Sequence, residues 1–118
     1  MPRRSKEFYR GISFQPPAAV AAAARRALER RAQQSPLQRG MTPVGLARAR
    51  QLFNRHELSP ATIDRMVSYF ARHAIDKRGS SWGDYGKGRQ AWDGWGGDPG
   101  LRWAQSIARR MDAAERRA

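Results

Sequence analysis

Four places along this 118-residue chain carry the signature of a helix start, and together they constrain its fold more than any other feature. Proline suits the first turn of a helix because its missing N–H would find no intrahelical partner there. Pro16-Pro17, Thr42-Pro43, Ser59-Pro60 and Asp98-Pro99 each set proline, after a capping residue or another proline, ahead of a run with helical spacing. The spacing predicts helices from these points to about Gln33, Asn54, Lys77 and the C-terminal region. Ser35-Pro36 and Gly40 mark the break after the first, and Gly79-Ser80-Ser81 ends the third.

The third segment is the most regular. Ile63, Met66, Val67, Phe70, Ala71 and Ala74 fall at i, i+3, i+4, i+7, i+8 and i+11, a continuous apolar stripe, with Arg65, Ser68, Tyr69, Arg72 and Asp76 opposite. Ala104, Ile107, Ala108 and Met111 repeat the pattern in the last segment. Val20, Ala24, Ala27, Leu28 and Arg31 hold these positions in the first, and Leu46, Ala49, Leu52 and Phe53 in the second. Nothing alternates with period two, so no sheet is expected. The expectation is an all-α compact bundle of four main helices, with residues 16–118 as a single domain, a length typical of one.

Two stretches stand apart. Residues 1–15 form a basic, aromatic N-terminal arm in which Arg3, Arg4, Lys6 and Arg10 flank Phe8, Tyr9, Ile12 and Phe14. Such an arm either orders on a partner or packs its aromatics on the domain, and the sequence leaves both readings open. Between Gly79 and Gly100, Trp82, Trp92 and Trp95 lie among eight glycines. A short helix over about Arg89–Trp95, closed by Gly96-Gly97, would put Trp92 and Trp95 on one side.

The charge is lopsided. Lys plus Arg is 23 against 10 Asp plus Glu, a formal +13. The glycine-rich segment carries −1, from Lys87 and Arg89 against Asp84, Asp93 and Asp98, so the rest of the chain holds +14. An excess of this size favours acidic partners: nucleic acid, an anionic membrane surface or an acidic protein. Only Lys6, Lys77 and Lys87 are lysine, so the cations are mostly arginine, whose planar fork grips phosphate with two bonds. A GC-rich genome also raises arginine and alanine, but it does not explain the net charge.

The chain has no cysteine, which excludes disulfides, thiolate nucleophiles and cysteine-based zinc sites. The run Ala18–Ala24 is too short for a signal core or a membrane span, so a chain outside the membrane and without a cleaved signal is expected. His56 and His73 are the only histidines, and neither has a metal partner at i+4. His73 with Asp76 at i+3 reads as an acid–base pair or, more commonly, as an ordinary helix-face pair. Asp64, Asp76, Asp84, Asp93 and Asp98 include three where caps and turns want aspartate. No enzyme, metal or cofactor is expected.

Three binding arrangements can be drawn. The second and third helices, joined by Arg55-His56-Glu57-Leu58, have the connection length of a helix-turn-helix, which would turn Arg65, Tyr69, Arg72 and His73 toward DNA. A sequence-independent phosphate grip would use Arg25, Arg26, Arg30 and Arg31 on the first helix, Arg48, Arg50 and Arg55 on and after the second, and Arg109, Arg110, Arg116 and Arg117 on the last. Trp82, Trp92, Trp95 and Trp103 would either stack bases or, as tryptophans in small domains usually do, cap the core.

The run Ser59-Pro60-Ala61-Thr62-Ile63-Asp64-Arg65-Met66-Val67-Ser68-Tyr69-Phe70-Ala71-Arg72-His73 is distinctive. Gly45–Arg50 precedes it, and Ala91-Trp92-Asp93-Gly94-Trp95-Gly96-Gly97-Asp98-Pro99-Gly100-Leu101-Arg102-Trp103-Ala104 follows. Together they resemble a small domain of tailed bacteriophages and prophages, found alone and beside head-maturation proteins. The resemblance spans about Pro16 to Ala108 and implies a phage setting, with DNA or an acidic capsid surface as partner, but no catalytic residues. The expected protein is a phage nucleic-acid binder, for DNA in preference to RNA, in the host cytoplasm or with the virion. Two other readings stand beside it: a head-assembly component, and an inhibitor that docks on an acidic host defence or transcription protein.

Overall fold

Helices begin at or beside each of the four prolines in a computed structural model that describes residues 2–118. Helix α1 spans Ala18–Gln33, α2 Pro43–Phe53, α3 Pro60–His73, α4 Lys87–Gly94 and α5 Gly97–Arg117. Among the described residues there are thus five α-helices; α4 is the short helix expected over about Arg89–Trp95, starting two residues earlier. No strand occurs among the described residues, and none of their helices is long and apolar enough to cross a membrane.

The polar caps act as the sequence implies at two of the starts. Thr42 Oγ1 accepts from the Gly45 N–H at 3.1 Å, and Ser59 Oγ accepts from the Thr62 N–H at 3.2 Å, each satisfying a donor with no intrahelical partner. At Asp98-Pro99 the expectation shifts. Gly96 takes the left-handed conformation (φ 111°), so α5 starts at Gly97 and Asp98 falls inside its first turn. Asp98 instead accepts from Trp92 Nε1 at 2.9 Å and Lys77 Nζ at 2.7 Å. Helix α3 also stops short of Lys77, tightening into a 3₁₀ turn over Ala74–Arg78.

Alanine decides the packing. Ala21, Ala23, Ala24 and Ala27 of α1 are buried, and their small side chains let α2, α4 and α5 all lie against this one helix. Helix α3 packs chiefly on α5 through Ile63, Met66 and Phe70. The apolar stripe foreseen on α3 is rotated: Tyr69, placed on the solvent side, is buried, whereas Ala71 and Ala74 are exposed. The reason is Trp95, whose ring stacks on Tyr69 and gives α3 a second buried flank.

The N-terminal arm lies on the helices; its residue 1 is outside the described residues. Tyr9 and Phe14 are fully buried, and the Leu58 N–H donates to the Phe14 carbonyl at 2.9 Å. Arg3 ties the segment down. Its Nε donates to Asp64 Oδ2 at 2.8 Å, its second terminal nitrogen to Asp64 Oδ1 at 3.1 Å, and its first to Asp112 and Glu115 at 2.7 and 2.5 Å.

Candidate nucleic-acid interface

The arginine excess survives folding. Among the described residues, Arg3, Lys6, Arg25, Arg26 and Lys77 are the Lys and Arg side chains that pair with carboxylates. Five of 23 cations therefore engage seven of the 10 carboxylates, and eighteen cations have no acidic neighbour within bonding distance. Arg3 causes much of this by drawing three carboxylates to itself. Several of the others hold backbone carbonyls: Arg31 Nε donates to Gly40 at 2.9 Å, Arg55 Nε to Pro16 at 2.8 Å, and Arg110 to Gly11 at 3.1 Å. A carbonyl contact orients a guanidinium without neutralising it.

Four of the unneutralised cations surround one cleft of about 750 Å³. Arg65 and Arg72 project from α3, Arg39 comes from the connection before α2, and Lys87 from the start of α4. The wall between them is apolar and aromatic, built from Met41, Val44, Tyr69, Ala91 and Trp95. Tyr69 sits inside a three-ring stack, with its centroid 4.5 Å from His73 and 4.7 Å from Trp95. Asp64, the one carboxylate lining the cleft, is held by Arg3.

Gln90 fixes the backbone at one edge of this cleft. It is 1% exposed; its Oε1 accepts from the Gly40 N–H at 2.8 Å, and its Nε2 donates to the Gln38 and Tyr85 carbonyls at 3.1 and 3.3 Å. These bonds draw the 38–40 backbone onto α4. A side chain at Gly40 would come within 2.7 Å of the Lys87 carbonyl oxygen. Glycine is therefore required for the close approach that brings Arg39 and Lys87 to the same cleft.

Two buried polar atoms near the cleft have no hydrogen-bond partner, the Tyr69 hydroxyl and Arg48 Nε. Both side chains pack against Trp95, Tyr69 by stacking and Arg48 with its guanidinium carbon 5.3 Å from the ring centre. Burial pushes Tyr69 well above the usual tyrosine range, and Asp76 and Asp93 push it further. Burial, and then the like charge of Arg65, push Arg48 below its ordinary value. An unmade hydrogen bond of this kind costs about 1–3 kcal/mol. Such departures from local optimisation gather at functional sites more than elsewhere.

The residues singled out from sequence fall into separate groups. Arg65, Tyr69 and Arg72 share the cleft. Arg26 and Arg30 border a smaller hollow beside Tyr85, while Arg25 is exposed and paired with Glu29. Arg109 and Arg110 are exposed on α5, and Arg55 lies beyond the end of α2. Arg48 is corrected: at 8% exposure, with a hydrogen bond to Gln51, it lies inside the bundle and offers no open fork to phosphate.

The helix-turn-helix is corrected too. Helix α2 packs on α1 and α4, and α3 on α5, so the two do not form the packed pair that the motif requires. Tyr69 is buried beneath the α3 arginines rather than facing outward with them. Trp92 and Trp95 are core residues, and Trp82 and Trp103 pack against that core, so the tryptophans form no open platform. His73 Nδ1 lies 3.0 Å from Asp76 Oδ2, an i,i+3 helix-face pair.

Arg39, Lys87 and Gln90 escaped the sequence reading. Arg39 sits in a connection and Lys87 opens α4, and no periodicity links them to α3. Gln90 carried a weak signal, as a polar residue beside Ala91 and Trp92 in a short helix with a buried face. No family model, curated protein or solved structure matches this chain.

Proposed function

We propose that this chain is a non-enzymatic nucleic-acid-binding protein that grips phosphates through arginines on its helix faces, DNA in preference to RNA. The observation that carries this reading is the set of eighteen cations that, among the described residues, find no carboxylate after folding. Like charges at this density repel one another in the folded state, and a polyanion relieves that repulsion. Arg65, Arg72, Arg39 and Lys87 line one cleft, Arg30, Arg55, Arg109 and Arg110 extend the contact over other faces, and Arg25 and Arg26 join it by exchanging Glu29 and Asp93 for phosphate. The resemblance in residues 16–108 supports a bacteriophage setting, with action in the host cytoplasm or on packaged DNA.

A second reading has its own observation. Leu37, Val44, Phe53 and Ile75 are large apolar side chains left exposed, Leu37 at 83%. They favour a role docked on a capsid or portal protein. Affinity capture from infected-cell lysate, with and without nuclease, separates the two readings. Loss of captured material after nuclease supports nucleic-acid binding, and nuclease-resistant recovery of head proteins supports docking.

A further inference from the structure

The cleft beside α3 differs from the other basic surfaces because its cations surround an apolar wall. Phosphates alone need no such wall; a chain that reads only a backbone is served by open arginines. An apolar wall with cations around it suits an apolar group that carries negative charge at its edges. Val44 is 60% exposed, Met41 and Ala91 line the cleft with it, and Tyr69 and Trp95, stacked on each other and largely buried, contribute only a small part of their rings to its wall. Arg65 and Arg72 are two helical turns apart on α3, about 10.5 Å at 1.5 Å per residue, and share the cleft with Arg39 and Lys87.

We propose that this cleft receives an unpaired base of single-stranded nucleic acid, so that the chain prefers single strands to duplex. The inference rests on the nucleic-acid reading above and narrows it. A base within a duplex has both faces covered by its neighbours and must be unpaired and unstacked before a protein wall can take it. A single strand presents the base without that cost, and its flanking phosphates fall toward the four rim cations. An acidic peptide would bring carboxylates only where its own side chains happen to lie, whereas every base in a strand is flanked by phosphate.

Fluorescence anisotropy on the full chain tests this with an oligonucleotide of about 12 nucleotides, a length within the range bound by small single-strand domains. The probes are the single strand, its duplex, and the same strand with abasic positions at matched salt. The single strand should bind about tenfold tighter than the duplex, and removal of its bases should erase the difference. Ala91→Trp, which fills the cleft without changing charge, should reduce binding of the intact strand to the duplex level. Val44→Ser, at an exposed position, provides a milder change in the same direction should the larger residue disturb folding. Equal binding of strand, duplex and abasic strand overturns this proposal while leaving phosphate binding intact. Displacement of the strand by an acidic amphipathic peptide, with no effect of base removal, assigns the cleft to a protein and overturns it as well. Absence of binding to any nucleic acid at low salt is a different result, and contradicts the parent reading.

Discussion

Arg3 and Arg72 both sit beside α3, and the protein uses them in opposite ways. Arg3 gathers Asp64, Asp112 and Glu115 around one guanidinium and secures the N-terminal segment on α3 and α5. Arg72 lines a cleft with three other cations, none of them paired with a carboxylate. With only 10 acidic residues in the chain, concentrating three on one arginine, Asp64 of the cleft among them, leaves the cleft cations without a carboxylate of their own. The difference teaches that the net charge is not spread evenly. Some cations tie the fold together, Arg3 above all, and a cluster of others remains available to a partner.

The largest expected effect breaks the cleft side of this comparison. Replacing Arg39, Arg65, Arg72 and Lys87 together by alanine should lower nucleic-acid affinity about 100-fold near 0.1 M salt, with each lost phosphate contact reducing the salt slope by about one. Parallel thermal unfolding should show little destabilisation, since these side chains are exposed. Next comes Gly40→Ala, which forces a side chain against the Lys87 backbone and should cost about 1–3 kcal/mol in denaturant unfolding. On the other side, Arg3→Ala should cost about 1–2 kcal/mol by leaving three carboxylates facing one another, and should change affinity little. Equal effects of the Arg3 and cleft substitutions on affinity would erase the distinction.

Smaller effects sharpen it. Arg48→Met should leave stability unchanged or raise it by about 1 kcal/mol, because a buried cation without a carboxylate partner gives way to an apolar chain of similar length. A loss of several kcal/mol in chemical denaturation would show that its bond to Gln51 matters more than its burial costs. Tyr9, Tyr69 and Tyr85 are all pushed above the ordinary tyrosine value of 10.0 by burial first. The unfolded chain therefore releases its tyrosine protons before the folded one does. Stability should be steady below about pH 10 and fall as pH rises above it, with no tyrosinate absorbance in the native protein until unfolding begins. Asp98 acts at the other end of the scale. Lys77 and Trp92 hold it below the usual carboxylate range, so its contribution should fade as pH drops below about 4.

Much of the helical frame was legible because prolines, caps and apolar spacing are local signals. Thr42-Pro43 and Ser59-Pro60 set two helix starts from neighbouring residues alone. Gly96 defeated the same logic at Asp98-Pro99, since its left-handed turn depends on how α4 and α5 meet. The fate of Tyr69 was similarly tertiary: its place in a helical wheel gives no sign that Trp95, 26 positions away, covers it. Arg48 looked like any surface arginine until α1 and α4 closed around α2. The cleft joins three separate connections and helices, so Arg39 and Lys87 could not be linked to Arg65 and Arg72 from spacing. What composition did convey was the scarcity of carboxylates, and that scarcity sets the charge of the folded surface.

The most direct measurement is the dependence of DNA affinity on salt for the unaltered chain. Its logarithm should fall linearly with the logarithm of salt concentration at a slope of about −4 or steeper, one unit for each cleft cation displacing a counterion. A flat line, or no measurable binding at low salt, would contradict the claim that these unneutralised arginines serve to hold a polyanion.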